Sequence, residues 1–471
     1  MSQQPIKSRR SFIKKALGTA IVSSVTPHLL ARSKNIITLA HQNDLKKYAP
    51  NDQVNIAVIG MGIMGFNNLR TTLQVPGVKL IGVCDLYTGR LERAKELFGK
   101  DIFTTKNYKE ILDRKDVDAV IIATTDHWHD RISIDAMNKG KHVYCEKPMV
   151  HKLEEGAEVI ATQKKTGKVF QVGSQGVSSI VTDKAREIVE SKIIGDIVLV
   201  ETWNDRQGAS GAWQYSIPRD ANANTVDWEN FLGDAPKVPY DPTRFFRWRN
   251  YQDYGTGIAG DLFVHLFSRL HAVTNSKGPN RIYTTGGLRY WKDGRDVPDI
   301  ICGLYDYPQT DQHAAFNLQM RVNFVDGSGG GGLLRLVGTD GAITLGGDNV
   351  KVARHQTPRQ PGFGGWDSFD TFSKTQQDEY EKWYLANHPK EKPQMVQPET
   401  EFKAPEGYNA DLDHHTNFYK GIREKAPIKE DALFSMRAAG PALASNKSLF
   451  EKKIIQWDPE TAKVVEGNGK L

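Results

Sequence analysis

Residues 54–65 read VNIAVIGMGIMG, a short apolar run followed by three spaced glycines. Such a run predicts a strand that is buried on both faces of a parallel sheet. The pattern Gly60-x-Gly62-x-x-Gly65 then begins a predicted helix, and Asp85 ends the next predicted strand. A glycine turn between strand and helix, with an acid after the second strand, is the dinucleotide-binding fingerprint.

The fingerprint also predicts how a dinucleotide would be held. Free N–H groups at the start of the helix favour phosphate oxygens, and Ile63 and Met64 lie at this start. Asp85 can accept hydrogen bonds from both ribose hydroxyls, and its charge would repel a 2′-phosphate. We therefore predict NAD as the cofactor, in preference to NADP.

The remaining pattern divides the chain into two predicted domains. Strands and helices alternate over residues 52–176, which predicts a Rossmann domain with a doubly wound parallel sheet. Residues 177–450 contain mainly alternating strands and long turn-rich insertions, which predicts an α+β domain with a mostly antiparallel sheet. Helices within residues 412–447 close this domain and are expected to pack back on the Rossmann half. Residues 451–471 are predicted to be a tail.

The start of the chain is predicted to be a targeting signal. Residues 8–14, SRRSFIK, precede a modest apolar run at residues 16–25. Adjacent arginines before a weakly hydrophobic stretch resemble a twin-arginine export signal, and an ordinary basic terminus is the alternative. We assign residues 1–34 to the signal and the polar residues 35–51 to a linker. We expect a soluble periplasmic protein without stable membrane insertion, because no stretch approaches the about 20 apolar residues of a spanning helix.

Composition excludes a nucleic-acid-binding role. The net charge is +6, but residues 1–34 carry seven basic residues and no acidic one. The remaining chain has 55 basic and 56 acidic residues, so it lacks the basic excess that a phosphate-binding surface needs. Three dispersed cysteines suggest neither a disulfide framework nor a zinc site.

Two further positions carry candidate catalytic chemistry. Lys147 follows the predicted fourth strand, at the edge where open α/β sheets bind ligands, and could hold a substrate hydroxyl. Asp261 and His265 lie four residues apart on a predicted helix, so a carboxylate could orient an imidazole base. Taken alone, a solvated loop lysine and a buried structural histidine remain open alternatives.

These residues belong to segments that resemble a known family. The fingerprint, the segment TTDHWH (124–129), the run GKHVYCEKP (140–148) and the spacing Gly257-x-x-x-Asp261-x-x-x-His265 are similar to the glucose–fructose oxidoreductase, inositol dehydrogenase and MocA family, Gfo/Idh/MocA. The resemblance extends over about residues 52–450. It implies a Rossmann half and an open-faced sheet half with the active site between them.

The resemblance also implies roles for individual residues. It implies that Lys147, Asp261 and His265 form the catalytic group and that the region of Lys147 lies against the nicotinamide. Further cofactor contacts are expected from Thr124, His129 and Glu146. Thr125 stands where the family usually has proline, so the turn near the nicotinamide is expected to differ. His127 has no assigned role, and no third ligand at a useful spacing completes a metal site with His129.

The insertion at residues 203–254 is the predicted substrate-binding segment. It is rich in aromatic and arginine residues, and sugars stack on rings while their hydroxyls take hydrogen bonds. An aromatic mini-core under a long loop is the alternative reading. Together with His129, the candidate substrate contacts in this insertion are Trp203, Trp213, Trp248 and Arg249.

The combined expectation is an exported oxidoreductase that oxidises a carbinol of a sugar or glycoside with tightly bound nicotinamide. A glycoside hydrolase that works by transient oxidation and elimination, without net redox change, is the alternative. A non-catalytic sugar-binding or sensor protein is a third class. A homo-oligomer is expected through the open face of the second sheet, since an exposed apolar sheet face needs cover.

Overall fold

The structure is a computed structural model that describes residues 35–41, 48–49, 52–355, 360–362, 364–388 and 398–465. The predicted export signal, residues 1–34, lies outside the described residues, as does part of the predicted linker.

The strands, labelled in chain order, form two sheets. Their bounds are Asn35–Thr38 (β1), Val54–Ile59 (β2), Val78–Cys84 (β3), Phe103–Thr105 (β4), Ala119–Ile122 (β5), His142–Cys145 (β6), Phe170–Val172 (β7), Ile197–Asp205 (β8), Arg281–Gly287 (β9), Ile300–Tyr307 (β10), Phe316–Asn323 (β11), Gly331–Gly338 (β12), Gly341–Leu345 (β13), Asn349–Arg354 (β14), Thr400–Lys403 (β15), Ile455–Asp458 (β16) and Lys463–Val464 (β17).

The α-helices are labelled in the same way. Their bounds are Ile63–Thr72 (α1), Thr88–Phe98 (α2), Tyr108–Asp113 (α3), His129–Asn138 (α4), Gly156–Thr166 (α5), Ile180–Glu190 (α6), Trp228–Leu232 (α7), Pro242–Phe246 (α8), Val264–Thr274 (α9), Lys374–Asn387 (α10), Ala410–Glu424 (α11) and Ala432–Glu451 (α12).

The first sheet is a parallel sheet of six strands in the order β4-β3-β2-β5-β6-β7. The chain order reverses direction between β2 and β5, so the carboxyl ends of these two strands flank a crevice where open α/β sheets bind ligands. Helix α11 packs against this sheet: Tyr419 contacts Thr72 and His414 contacts the carbonyl oxygen of Val172. The predicted doubly wound parallel sheet is confirmed.

The second sheet contains eleven strands in the described part of the chain, in the order β1-β15-β14-β13-β12-β8-β11-β10-β9-β16-β17. Most neighbours are antiparallel, but β8 pairs in parallel with β11 and β1 pairs in parallel with β15. Burial alternates along β11, as expected for a sheet with one covered face. The predicted large, mostly antiparallel sheet is confirmed.

Strands of this sheet also form in the segments that the sequence assigned to a linker and to a tail. Asn35–Thr38, within the predicted linker, forms β1 beside β15. Ile455–Asp458, within the predicted tail, forms β16 and pairs with β9. Both are short strands at or next to an end of the sheet that depend on a distant partner, which a local pattern does not reveal.

Candidate active site

The glycine turn has the backbone geometry that the fingerprint requires. Gly60 has φ +92°, and a Cβ added there would lie 2.5 Å from the carbonyl carbon of Ala123. A Cβ on Gly65 would overlap the carbonyl oxygen of Gly60. By contrast, a Cβ on Gly62 would meet no atom within 4 Å, so the space above this residue is open. Two glycines therefore close the turn, and the third leaves room for a ligand such as a pyrophosphate.

Asp85 fastens this turn to the end of β3. Its Oδ2 accepts a hydrogen bond from the N–H of Met61 at 2.7 Å, and its Oδ1 accepts one from the N–H of Tyr87 at 2.8 Å. Arg90 Nη1 lies 3.4 Å from the same Oδ2. The carboxylate thus has hydrogen-bond donors within the chain, in addition to any hydrogen bond that a ribose hydroxyl would donate to it.

One cavity of about 570 Å³ extends from the fingerprint to Lys147, one of the three predicted catalytic residues. On the fingerprint side, the cavity is lined by Gly60, Gly62, Ile63, Met64 and Asp85. Its wall also includes the other predicted cofactor contacts except Gly65, together with two residues of the insertion. These further residues are Thr124, His129, Glu146, Lys147, Trp248 and Arg249. The donor set and the open space at Gly62 fit a dinucleotide.

A buried charge cluster lies beside this cavity. Lys147 Nζ donates to Asp261 Oδ1 at 2.7 Å and to the carbonyl oxygen of Asp261 at 2.9 Å. Arg249 Nε lies 3.2 Å from the same Oδ1. Burial opposes ionisation of Asp261, but Lys147 and Arg249 outweigh it and hold the pKa of the carboxyl well below its usual range. The carboxylate is therefore an anion shared by two cations.

Asp261 lies in a π-helical turn, Ala259–Phe263, that leads into α9. Such turns are frequent at functional sites, since they alter the helical hydrogen-bond pattern. Here the carbonyl oxygen of Asp261 accepts from Lys147. The sequence pattern predicted one regular helix over this segment.

His265 follows on α9 and is a neutral imidazole at pH 7. Burial lowers the pKa of His265 to about 3, and the charge of Lys147 contributes to the decrease. Among the hydrogen bonds of the described residues, none joins His265 to Asp261. Asp261 thus has a different partner from the one that the helical spacing predicted, and it acts on His265 through charge alone.

Glu146 precedes Lys147 and is buried at the same strand end. Its Oε1 accepts hydrogen bonds from Asn68 at 2.8 Å and from Gln175 at 3.2 Å. Burial raises the pKa of Glu146. Asn68 was missed in the sequence, because its position on α1 gives no sign that it faces a glutamate 78 residues away.

His129 and Asp126 form the wall behind the Thr124–Thr125 turn. The ring nitrogens of His129 lie 2.7 Å from the carbonyl oxygen of Pro148 and 3.3 Å from that of Thr124, and the residue is 1% exposed. Asp126 accepts hydrogen bonds from the N–H and the hydroxyl of Thr256. The clamp formed by Asp126 was not predicted, since nothing in the sequence indicates its partner.

The four candidate substrate contacts in the insertion separate into two pairs. Trp248 and Arg249 line the cavity, with the Arg249 guanidinium 4.2 Å from the centre of the Trp248 ring. Trp213 is 1% exposed and packs edge-on against Phe324, so its predicted role in substrate contact is wrong.

Trp203 lies outside the cavity as well. It is on β8, where Thr202 and Val200 point into the core, and the Arg321 guanidinium of β11 lies over its ring at 4.6 Å. Substrate contact by Trp203 stays a prediction that this cavity does not support. Tyr215, which was not singled out, lines the cavity. Composition cannot distinguish core from cavity among the aromatic residues of one long insertion.

Two negative findings apply to the described residues only. No group of three or more His, Cys, Asp or Glu side chains there is arranged to hold a metal ion. None of the described helices has the length and apolar character needed to cross a membrane.

Comparison with known proteins supports the resemblance noted in the sequence. Residues 54–174 match the family model GFO_IDH_MocA, described as the oxidoreductase family with an NAD-binding Rossmann fold. Residues 54–174 thus resemble the NAD-binding Rossmann domain of that oxidoreductase family.

Curated relatives fall into two groups. Inositol 2-dehydrogenase of Salmonella paratyphi B is 28% identical over 164 residues, which are 34% of this chain and 48% of that protein. Alpha-N-acetylgalactosaminidase of Shewanella oneidensis is 32% identical over 174 residues, covering 34% of this chain and 38% of that protein. The chain thus aligns with less than half the length of these relatives.

Solved structures share the fold over most of the chain. Levoglucosan dehydrogenase in complex with NADH and levoglucosan has a TM-score of 0.60 at 18% identity and covers 86% of this chain and 99% of its own. Scyllo-inositol dehydrogenase from Lactobacillus casei, with bound NAD(H) and scyllo-inositol, has a TM-score of 0.57 at 16% identity over the same shares. These likenesses show a common architecture.

Proposed function

We propose that this chain is an NAD-dependent oxidoreductase that acts on a carbinol carbon of a sugar or glycoside. The observation that carries the proposal is the single cavity in which the open glycine turn meets Lys147, with the Asp261 and Arg249 charges beside it. The names of the dehydrogenase relatives supply the substrate class, because those proteins act on inositols and an anhydrosugar.

The arrangement of Lys147 suits it to hold a substrate oxygen. An ammonium group has three donors, and Asp261 accepts two of them through its carboxylate and its carbonyl oxygen. The third donor remains for a hydroxyl in the cavity. Arg249 pairs with Asp261, and Asp261 fixes the lysine in place, so that Lys147 is a catalytic residue and Asp261 a positioning residue.

His265 is the proposed acceptor of the hydroxyl proton. Its imidazole is neutral at pH 7, so it has a free nitrogen lone pair. A bound nicotinamide would supply the acceptor for the hydride of the carbinol carbon. Transfer of the proton to His265 creates a cation near Lys147, and the Asp261 anion offsets part of that repulsion.

Single replacements test these roles. Lys147→Ala and His265→Ala are expected to lower kcat by about 10²- to 10⁴-fold, the usual contribution of a positioned acid or base. Lys139→Ala is the matched control, because that exposed lysine pairs with Asp113 at the surface. Normal turnover in folded Lys147→Ala and His265→Ala proteins would contradict the assignment.

A redox-neutral glycoside hydrolase is the second candidate function. The observation in its favour is the match to Alpha-N-acetylgalactosaminidase and to glycosyl hydrolase family 109 proteins, each over 34% of this chain. Incubation with glycosides in deuterated water, followed by NMR, separates the two functions. A keto-sugar with reduced cofactor indicates the dehydrogenase, whereas free sugar with deuterium next to the oxidised carbon indicates the hydrolase.

Export through the twin-arginine route is part of the proposal and rests on Arg9 and Arg10 in the sequence. A folded protein exported with its cofactor would need that cofactor to stay bound and to be regenerated on the same molecule. Fractionation of cells that produce the Arg9→Lys/Arg10→Lys variant tests the route. The variant is expected to remain in the cytoplasm, and periplasmic accumulation equal to that of the native chain would contradict export.

A further inference from the structure

The insertion between β8 and α9 includes a segment that touches the Rossmann sheet at two places. We call residues 217–246 the strap. Its first anchor is the end of β3 and the start of α2, and its second anchor is the turn after β5. Since β3 and β5 are the two neighbours of β2 in the sheet, the strap passes across the end of the strand that carries the glycine turn.

The first anchor consists of backbone pairing reinforced by side chains. Tyr87 and Val226 form an antiparallel bridge, the N–H of Thr88 donates to the carbonyl oxygen of Thr225 at 3.0 Å, and the Tyr87 hydroxyl donates to Asp220 at 2.6 Å. This anchor begins two residues after Asp85. It therefore holds the strap next to the place where the fingerprint predicts the adenosine ribose.

The second anchor is a set of contacts around the Trp128 ring. The indole N–H of Trp128 donates to the carbonyl oxygen of Phe231 at 3.0 Å, and His127 Nε2 lies 2.9 Å from the same oxygen. Gly233 has φ +54°, and a Cβ on it would lie 2.6 Å from the Trp128 ring. His127, which had no role in the sequence analysis, is thus part of this anchor.

Between its anchors the strap takes part in a separate apolar cluster. Eight buried residues form this cluster, which includes both strap and Rossmann side chains. They are Tyr87, Val226, Phe231, Leu232, Phe245, Phe246, Tyr251 and Tyr254. Arg90 of α2 lies over the rings of Phe245 and Phe246 at 5.6 Å and 5.3 Å. The aromatic mini-core that the sequence left as an alternative therefore exists in this part of the insertion.

The strap and the fingerprint face the same cavity. Gly62, Asp85 and Arg90 line it from the Rossmann side. The strap supplies the opposite wall, through Glu229, Asn230, Phe231, Gly233, Asp234, Lys237, Phe245 and Phe246. A dinucleotide on the glycine turn would have its adenosine half between these two walls.

We propose that the strap retains the cofactor by covering its adenosine half, so that the dinucleotide exchanges only when an anchor opens. The inference rests on the proposed function for the identity of the ligand. It goes further because it assigns retention of the cofactor to the strap and its two anchors. The anchors together contain several hydrogen bonds to backbone groups, so the opening of an anchor is expected to limit the rate of cofactor exchange.

Cofactor exchange tests the strap without any substrate. The protein is loaded with NAD and passed through gel filtration, and replacement of NAD by fluorescent etheno-NAD is then followed in time. Gly233→Ala pushes the strap off Trp128, and Tyr87→Phe removes the bond to Asp220 while keeping the ring. Gly208→Ala is the matched control, because Gly208 also has positive φ but a Cβ there meets nothing within 4 Å.

We expect the native protein and Gly208→Ala to keep NAD through the column, and both anchor variants to exchange at least about tenfold faster, a change of about 1.4 kcal/mol. Hydrogen exchange at the amide of Thr88 should slow when NAD is bound in the native protein. Melting temperatures identify any variant that fails to fold.

Three results would overturn the inference. These are exchange by both anchor variants at the native rate, rapid loss of NAD from the native protein, and an equal effect of Gly208→Ala. Tight retention without oxidation of any sugar would leave the strap in place and refute the proposed function instead. Absence of any dinucleotide binding would refute both.

Discussion

The Asp261 carboxylate lies between Lys147 and Arg249 and is almost completely buried. Burying a charge is costly unless it is paired, and removal of one partner leaves the others uncompensated. The spacing of Asp261 and His265 in the sequence predicted a shared helix face, and the family resemblance implied that both belong to the site. The spacing could not predict that Asp261 pairs with residues 114 and 12 positions away, because those contacts depend on how the tertiary fold brings separate segments together.

Replacement of Asp261 by Asn tests this pairing. Asp261→Asn leaves two buried cations without an anion, so we expect the free energy of unfolding to fall by about 3–5 kcal/mol. Urea titration measures the change. Asp116→Asn is the control, since that carboxylate pairs with Arg114 at the surface and exposed pairs contribute about 0–1 kcal/mol. Equal small effects in both variants would contradict the role of Asp261.

The glycines of the fingerprint provide a second test at the same scale. Gly62→Ala places a methyl group in open space, so we expect an unchanged melting temperature and NAD binding weakened by at least about tenfold. Gly65→Ala forces a Cβ against Gly60 and is expected to lower the melting temperature. Calorimetry gives both quantities. Undiminished NAD binding by Gly62→Ala would exclude the predicted pyrophosphate position.

At the scale of elements, the sequence predicted the strands that have a local apolar pattern. It missed strands that form only because a distant segment pairs with them. Strands β2, β3, β5, β6 and β7 are short, mostly apolar runs between helices, so their type follows from sequence alone. Strand β1 lies in a polar region, and it is a strand because Thr400–Lys403 is beside it. The π-helical turn at Asp261 has no periodic signature either, and one regular helix was predicted there.

The open face of the second sheet leads to a prediction on assembly. Leu304 of β10 is 56% exposed and lies beside Tyr283 of β9, which is also exposed. We expect this face to be covered in a homo-oligomer, so Leu304→Lys should yield smaller particles in light scattering after gel filtration. Leu385→Lys is the control, because it alters an exposed leucine on α10. An identical mass for the native chain and Leu304→Lys would contradict an interface on this face.

At the scale of the whole molecule, buried histidines make stability depend on pH. Burial lowers the pKa of six histidines to about 3 or 4, whereas an unfolded histidine has a pKa of about 6.5. They are His127, His142, His265, His271, His414 and His415. Below pH 6.5 the unfolded chain therefore binds more protons than the folded chain, and stability falls as pH falls toward 4.

The size of this effect makes it measurable. Each such histidine costs about 1.4 kcal/mol per pH unit below 6.5, and six together approach the usual total stability of about 5–15 kcal/mol. We expect a steep drop in melting temperature between pH 7 and pH 5, measured by calorimetry. A melting temperature that is constant over this range would show that these rings are protonated or exposed.

Glu430 makes stability change with pH in the opposite direction from the histidines. Burial raises the pKa of Glu430 to about 8, so the folded chain keeps a proton that the unfolded chain loses above about pH 4.5. Stability from this group is complete below that value and is lost as pH rises through 8. Glu430→Gln keeps the hydrogen bond with Ser268 without a charge, so it should be more stable than the native chain at pH 9 and equal to it at pH 4. A deficit at pH 9 would contradict a protonated Glu430.

The central claim is that one cavity brings a nicotinamide and a sugar carbinol together beside Lys147. The most direct measurement is rapid mixing of NAD-loaded protein with a panel of glycosides and polyols, followed by the near-ultraviolet absorbance of reduced nicotinamide. We predict that the absorbance rises with at least one sugar in the native protein and that Lys147→Ala abolishes the rise. Loaded protein that shows no reduction with any sugar, or a Lys147→Ala variant that reduces its cofactor at the native rate, would contradict the claim.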